Sequence, residues 1–414
     1  MLNVLINAYA VSPNWGSEPG LGWNWVVNLS RYCNVFVITE GEWKEEIETA
    51  IAKLPHKSNL HFYYNPVSDE VRKMCWNQGD WRFYKHYREW QEKTLKIARE
   101  IIAEHRIDII HQLNMIGFRE PGSLWKIKDI PFVWGPVGGY GWTTLKYLSG
   151  QPFGVKAKAV VKNLINSLQA RFYPLSNNAM KRAAYVLAAN SNVYRYVRAH
   201  KRKDVILMNE TGCYVKQMPV KFDAEKRSFD ILWVGKFAYR KQLVLTLKTL
   251  AALKLMLKEG FERIRLRVVG DSPDEKTIEL VDELGIAGNV EWVGKIPNPR
   301  VHEMMQQSDL FLFTSIDEGT PHVVLEAIQN NLPVACFDTC GQGVVVNERV
   351  GVKVALKNAK ESPVDFAAAI IPLIENREKL RELKENCASR QTELSWESKI
   401  MQMVEIYEKA VGRR

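Results

Sequence analysis

The sequence predicts an α/β fold of two parallel sheets in tandem, each covered by helices. Three observations carry that prediction. Short β-branched and aromatic runs alternate with stretches of helical period from end to end; the alternation lapses near residues 212–229 and then restarts; and 414 residues exceed what one hydrophobic core usually supports. Composition agrees with a folded chain, at 46% hydrophobic and 25% charged with no low-complexity segment.

In the first half, the apolar runs place strands at 3–8, 34–39, 60–64, 108–112, 131–134, 185–189 and 205–208. Each is short and nearly continuous, as a strand buried on both faces should be. Helical periodicity falls between them, at 21–29, 81–104 and from 179 onward. The stretch "GCYVKQMPVKFDAEKRSF", 212–229, is polar with little period and reads as a linker. The same grammar then restarts, with strands at 230–234, 265–269, 289–293, 310–314 and 334–337 and helices at 244–257, 274–284 and 321–331. The expected domains are therefore 1–211 and 230–394, with 395–414 forming a last helix. Ligands of open α/β sheets bind beyond the carboxyl ends of the strands, so a cleft between two such sheets is where a site is expected.

The opening "MLNVLINAYAVSPNWG" lacks a positive leader and reads as a first strand, and no apolar run approaches the ~18 residues that span a bilayer. The six cysteines are scattered, and Cys336 and Cys340 have no matching second pair, so no metal site and a reducing, cytoplasmic setting are expected. The net charge of +10 is uneven: residues 130–203 contain no Asp or Glu but carry Lys146, Lys156, Lys158, Lys162, Arg171 and further cations up to Lys203.

The stretch "SIDEGTPHVVLEAIQN" places Glu318 and Glu326 on either side of a Gly319-Thr320-Pro321 turn. Thr320 followed by Pro321 matches a helix start, a hydroxyl cap and then a residue whose missing N–H costs nothing. The next amides are donors at the positive end of the helix dipole, which attracts phosphate. Val323, Val324, Leu325, Ala327 and Ile328 make that helix apolar nearly all round, so Glu326 needs a polar partner, and hydroxyls of a sugar or ribose suit it. The plain alternative is a solvent-facing helix glutamate and a loop acid.

After the strand at 230–234 come Gly235, Lys236, Arg240 and Lys241, three cations at the carboxyl end of a strand. Fixed cations that meet the negative charge growing on a departing diphosphate are a large catalytic term. An ordinary basic loop is the alternative. Gly270 in "VVGDSPDE" and Gly294 with Lys295 in "WVGKIPNPR" add glycines after two more strands.

These residues together resemble the nucleotide-sugar domain of the retaining glycosyltransferases of family four, which have the GT-B fold of two Rossmann-like domains facing across a cleft. The family's E-x7-E element is similar to Glu318 through Glu326, and its G-R-x4-K element to Gly235-Lys236-x4-Lys241. Its "G-x-P" is similar to Gly270-x-x-Pro273, with one residue more, its "V-x-x-x-G" and "P-V-A" follow in order at 290–294 and 333–335, and "SWES" at Ser395 resembles the start of a terminal helix that crosses back to the first domain. The resemblance implies that Glu318 contacts hydroxyls of the donor sugar and Glu326 the ribose. It implies that Lys241 and Lys236 bind the diphosphate, with Arg240, Gly235, Gly270, Gly319, Thr320, Pro321 and Lys295 around the donor. It further implies that no metal or other cofactor is needed. At position 236 the family usually has Arg, and Lys is a point charge without the bidentate fork, which Arg240 stands close enough in sequence to supply.

The first half resembles the family less closely. "SPNWGSEPGLGWNW" is a glycine-rich loop after the first strand, with Gly16 and Glu18 as cleft candidates, and its glycines do not form a dinucleotide fingerprint. "VWGPVGGYGW" supplies Gly138 and Gly139 after another strand, and His111 ends the strand at 108–112. All five are acceptor-side candidates, with a structural role the alternative for a lone strand-end histidine.

The leading expectation is a retaining, metal-independent glycosyltransferase that moves a sugar from a nucleotide-diphosphate donor to a glycan or lipid-linked acceptor. It would be cytoplasmic and peripheral on the inner face of an anionic membrane, held by the basic segment. The alternatives are a sugar phosphorylase or nucleotide-sugar epimerase on the same fold, and a non-enzymatic basic protein that binds acidic polymers. Nucleic acid is not expected as a partner, since no nucleic-acid module is present.

Overall fold

A computed structural model of the chain describes residues 1–412 apart from 78, 79, 116, 217, 258 and 320. It contains two wholly parallel sheets. The first runs β1 (Leu2–Asn7), β2 (Cys33–Thr39), β3 (Leu60–Tyr64), β4 (Ile109–Gln112), β5 (Phe132–Val137), β6 (Tyr185–Ala188) and β7 (Ile206–Leu207) along the chain, in the spatial order β3-β2-β1-β4-β5-β6-β7. The second runs β8 (Phe229–Gly235), β9 (Ile264–Gly270), β10 (Val290–Gly294), β11 (Leu310–Phe313), β12 (Val334–Phe337) and β13 (Gly351–Val354), ordered β10-β9-β8-β11-β12-β13. The two Rossmann-like sheets expected from the alternation are both present, and β13 lies beyond the expected set.

Two compact units result. The first comprises 1–141, 164–211 and 396–414, and the second 142–163 and 212–395. Residues 142–163 thus group with the second sheet, although they fall within the 1–211 span expected for the first domain. Tyr147 explains why: its ring packs edge-on to Phe337, its hydroxyl pairs with Ser362 Oγ at 2.7 Å, and it belongs to the second sheet's core. The helix Phe153–Phe172 runs across the division between residues 163 and 164. Residues 212–228 include an isolated bridge, Cys213 to Ser395, before β8 begins at Phe229.

The first core is built on the fully buried Val4, Ile6, Val35, Val37 and Ile109, which face the helix Ser17–Leu29 through Trp25, Val26 and Leu29. The terminal helix Trp396–Val411 joins this core through Trp396, Ile400, Met403 and Tyr407, so the end of the chain returns to the first unit as expected. Trp396 meets Trp25 edge-to-face at 6.0 Å, and Glu397 pairs with Arg31 and Tyr32. In the second unit, Ile231, Trp233, Leu266 and Val268 lie under the helix Leu243–Met256, while Phe311, Phe313 and Val334 lie under His322–Gln329. Side-chain caps start several crossover helices. Asp274 accepts from the Thr277 amide at 3.0 Å, and Asn190 from those of Asn192 and Val193 at 3.1 Å.

Candidate functional site

Each sheet reverses its strand order once, at β1/β4 and at β8/β11. The crevice beyond the carboxyl ends of strands at such a reversal is where open α/β sheets bind ligands. Gly16, Lys236, Arg240, Lys241, Glu318 and Gly319 fall on the segments that leave β1, β8 and β11, and the other candidates lie on neighbouring elements.

In the second unit, β8 ends at Gly235, and Lys236, Arg240 and Lys241 follow on the loop to the helix Leu243–Met256. Beyond β11, Glu318 closes back onto that loop. Its carboxylate pairs with both Lys241 and Arg240 and accepts the Ser315 hydroxyl at 2.9 Å. Backbone contacts fix the two loops together: the Ile316 amide donates to the Arg240 carbonyl at 2.9 Å, and Ser315 Oγ to the same carbonyl at 3.0 Å. Thr314 Oγ1 donates to the Lys241 carbonyl at 2.9 Å, and the Lys241 ammonium lies 5.0 Å over the Phe313 ring. The Lys241 side chain is only 14% exposed, and burial pulls its ammonium below the usual lysine range, against the opposing pull of Glu318. A half-buried cation on a fixed loop is preorganised for a phosphate.

Pro321 lies just before the helix His322–Gln329, and its carbonyl accepts the amides of Val324 and Leu325, so the helix starts one residue later than the cap reading places it. Thr320 lies outside the described residues. Val324, Leu325, Ala327 and Ile328 are buried, as the apolar periodicity requires. Glu326 is half-buried on this helix, its carboxyl raised above the usual range by burial, with Lys216 opposing. Its backbone carbonyl accepts from Asn330, while among the described residues no hydrogen bond or ion pair engages its carboxylate.

The remaining donor-side candidates differ in surroundings. Lys236 is exposed. Lys295, after β10, pairs with Asp271 at 2.8 Å, and Asp271 also accepts the Phe237 amide at 2.9 Å. Gly270 is required by packing: a Cβ there would lie 2.0 Å from the Gly235 carbonyl oxygen. Gly319 is exposed, and its carbonyl lies where a Cβ on Gly341 would fall, 2.2 Å away. Gly341 and Gln342, which sequence reasoning missed, brace the loop that carries Glu318. The Gly341 amide reaches the Glu318 carbonyl at 3.4 Å, and buried Gln342 donates to the Ser315 carbonyl at 3.0 Å. Nothing in their sequence context marks them, because the contact depends on how β12 is placed beside β11. A cavity of about 650 Å³ shares the loop after β8, lined by Phe237, Tyr239, Gln242, Lys248 and Asp271; Lys241, Glu318 and Glu326 are not part of its wall.

In the first unit, Gly16 precedes the helix Ser17–Leu29, and Glu18 in its first turn accepts the Met115 amide at 2.7 Å, which ties the loop after β1 to the loop after β4. Burial raises the Glu18 carboxyl above its usual range, with that amide opposing. Gly138 forms an isolated bridge with Gly117, and Gly139 follows at φ +81°, a conformation that favours glycine. His111 has other duties. It is fully buried, with Nδ1 2.6 Å from the Tyr407 hydroxyl and Nε2 2.6 Å from the Gly135 carbonyl, and burial lowers its pKa to about 4. Both ring nitrogens are taken inside the core, which is the structural reading of a strand-end histidine.

Among the described residues, no group of three or more His, Cys, Asp or Glu is placed to hold a metal ion, and no helix is long and apolar enough to cross a membrane. All six cysteines are free.

Comparison with known proteins bears on the fold and on the second unit. Residues 215–390 match the family model of glycosyl transferases group 1, which covers the whole Lys241, Glu318 and Glu326 region. Over 245 residues the chain is 25% identical to the N,N'-diacetylbacillosaminyl-diphospho-undecaprenol alpha-1,3-N-acetylgalactosaminyltransferase of Campylobacter jejuni, covering 55% of this chain and 58% of that one. Three further curated relatives match over only 24% to 33% of their own lengths. Among solved structures, the lipopolysaccharide outer core galactosyltransferase WaaB superposes with a TM-score of 0.62 at 15% identity, covering 99% of both chains. HepE of Anabaena in complex with UDP superposes with a TM-score of 0.56 at 14% identity, covering 99% of this chain and 100% of that one. The fold is thus that of the GT-B glycosyltransferases, and the second unit carries a glycosyl transferases group 1 segment.

Proposed function

We propose that the chain is a retaining, metal-independent glycosyltransferase of the family-four type. It transfers a sugar from a nucleoside-diphosphate donor to a hydroxyl of a polysaccharide or lipid-linked acceptor. The observation that carries the reading is the arrangement at the β8/β11 reversal: Lys241 and Arg240 clamp Glu318, just ahead of the helix that holds the half-buried Glu326. In this reading the diphosphate lies against Lys241, Arg240 and Lys236, Glu318 meets hydroxyls of the donor sugar, and Glu326 takes the ribose. The bond from the anomeric carbon to the diphosphate breaks and its electron pair leaves on the diphosphate, whose charge the fixed cations stabilise where a metal would otherwise be needed; the acceptor oxygen bonds the anomeric carbon on the same face, and its proton passes to the departing diphosphate.

The UDP bound to HepE and the diphospho-undecaprenol named for the Campylobacter relative support a nucleotide donor and a lipid-linked acceptor for this chain. The helix Phe153–Phe172 supports a peripheral membrane setting, since exposed Phe153, Val161, Leu164, Leu168 and Phe172 alternate with Lys156, Lys158, Lys162 and Arg171. The test is a panel of UDP-, GDP-, ADP- and dTDP-sugars offered to the purified chain in chelator. One donor should bind and be slowly hydrolysed; failure of every donor to bind would sink the proposal.

A further inference from the structure

The first unit carries an exposed tryptophan cluster that the donor chemistry does not use. Trp15 is 57% exposed and Trp76 45%, with half-buried Trp43 between them. The Trp15 and Trp76 rings lie nearly parallel, 27° apart with centroids 6.4 Å from each other. Trp43 is 6.0 Å from Trp15 and 5.5 Å from Trp76, turned 70° to the latter. Each comes from the segment that leaves a different strand: Trp15 after β1, Trp43 after β2, and Trp76 from the helix Asp69–Trp76 after β3. Three adjacent strands therefore deliver one indole each to the edge of the sheet where α/β proteins bind ligands.

The cluster is held in place. The Trp15 carbonyl packs where a Cβ on Gly20 would sit, 2.2 Å away, and Gly41, at φ +91°, turns the chain against Tyr64 just before Trp43. Trp76 Nε1 donates to Glu42 at 2.9 Å. On the other side, Glu46 accepts from Asn14 Nδ2 at 2.9 Å and from the Ser12 hydroxyl at 3.3 Å. Rigid exposed aromatic faces offer apolar area at little entropic cost, and indoles suit ligands with one apolar and one polar side.

The flanking charge decides between occupants. Glu42, which accepts from Trp76 Nε1, and Glu46, which holds Asn14 beside Trp15, flank the rings, which disfavours an anionic lipid surface, whereas carboxylates accept hydrogen bonds from hydroxyls. A pyranose has an apolar C–H face to lie on an indole and a rim of hydroxyl donors to meet the acids. We propose that Trp15, Trp43 and Trp76, with Glu42 beside them, form a stacking platform for a neutral pyranose of the acceptor glycan. Its assignment to the acceptor rests on the glycosyltransferase reading above; its affinity for sugar does not.

The experiment titrates the full chain with methyl α-D-glucopyranoside, methyl α-D-galactopyranoside, methyl N-acetyl-α-D-glucosaminide, lactose and chitobiose, following indole emission and indole N–H resonances. At least one should give a saturable change. Trp15→Ala and Trp76→Ala should each weaken that binding at least tenfold, and Trp15→Phe, which keeps an aromatic face, should retain most of it. Affinity for the nucleotide sugar that the four-donor panel identifies, read in parallel, should stay within twofold of the wild type in all three variants. No saturable response to any of the five sugars overturns the platform, as does unchanged sugar affinity in both Ala variants. It is equally overturned if those variants lose binding to phosphatidylglycerol vesicles while keeping sugar affinity. Loss of nucleotide binding by the wild-type chain would instead strike the donor reading and leave a sugar response standing as support for the platform.

Discussion

At the residue scale, Lys241, Glu318 and Glu326 have unequal surroundings, so under the proposed function unequal effects are expected of them. Lys241 sits half-buried over Phe313 with Glu318 as its counter-ion, so it is aimed before any ligand arrives. Lys241→Ala should lower turnover by about a hundredfold or more, the usual cost of losing a charge partner of the transition state. An unchanged rate on the accepted donor would remove it from the leaving-group role. Glu318 is engaged by two cations and a hydroxyl, whereas among the described residues no hydrogen bond or ion pair engages the Glu326 carboxylate. Glu326→Ala should therefore mainly raise the donor Kd, and Glu318→Ala mainly lower kcat; the reverse pattern in steady-state kinetics would overturn the division. His111 yields a prediction of another kind. Its folded pKa of about 4 lies below the ordinary 6.5, so between those values the unfolded chain holds a proton the folded one lacks. Its contribution is fully present above pH 6.5 and is lost as pH falls toward 4, up to about 3 kcal/mol. Urea midpoints should thus drop more steeply from pH 7 to 4.5 in the wild type than in His111→Gln, and equal slopes would contradict the buried neutral imidazole.

At the element scale, the strands were the most legible part of the chain. Runs such as "VLI" at 4–6 and "LFLF" at 310–313 are continuous and apolar because both faces of their sheets are covered, and the strand boundaries fall within a few residues of those expected. The short strand Gly351–Val354 has only Gly351 and Val354 buried, and the helix Arg377–Glu393 buries a thin stripe of Leu380, Leu383 and Cys387 in a very polar segment, so neither stands out by pattern. The candidate site around Gly235–Lys241 and Glu318–Glu326 was legible because it is local to two short motifs. Its braces, Gly341 and Gln342, were not, since they act through strand placement. Gly270 shows the same dependence on neighbours. Its Cβ space is occupied by the Gly235 carbonyl across the β8/β9 pair, at the point where the site loop departs. Gly270→Ala must push that backbone aside and should cost roughly 1–3 kcal/mol. Thermal unfolding checks this, and an unshifted Tm would show that the strand end yields freely.

At the scale of the whole molecule, the net charge of +10 is concentrated in a segment with no acid between residues 130 and 203, which sequence alone reveals. What sequence does not reveal is that the helix Phe153–Phe172 leaves its apolar residues in solvent: Phe153 is 85% exposed and Leu164 60%, where a core helix would cover them. Apolar side chains interleaved with lysines are what a helix lying in a membrane interface needs, since the apolar groups enter the acyl boundary while the cations meet anionic headgroups. Each Lys or Arg near such a surface contributes about 1 kcal/mol, so exchanging Lys156, Lys158 and Lys162 together for Gln should weaken partitioning onto phosphatidylglycerol vesicles by about a hundredfold. The same binding should fall as ionic strength rises, because an exposed charge is screened beyond a Debye length of ~10 Å at 0.1 M salt. Leu164→Ser with Leu168→Ser should also weaken it, but without changing its salt dependence, since those residues act through area and not charge. Vesicle co-sedimentation separates the two contributions: binding indifferent to all five substitutions would place the contact elsewhere on the chain, and equal binding to purely zwitterionic vesicles would remove the basic segment from the interaction.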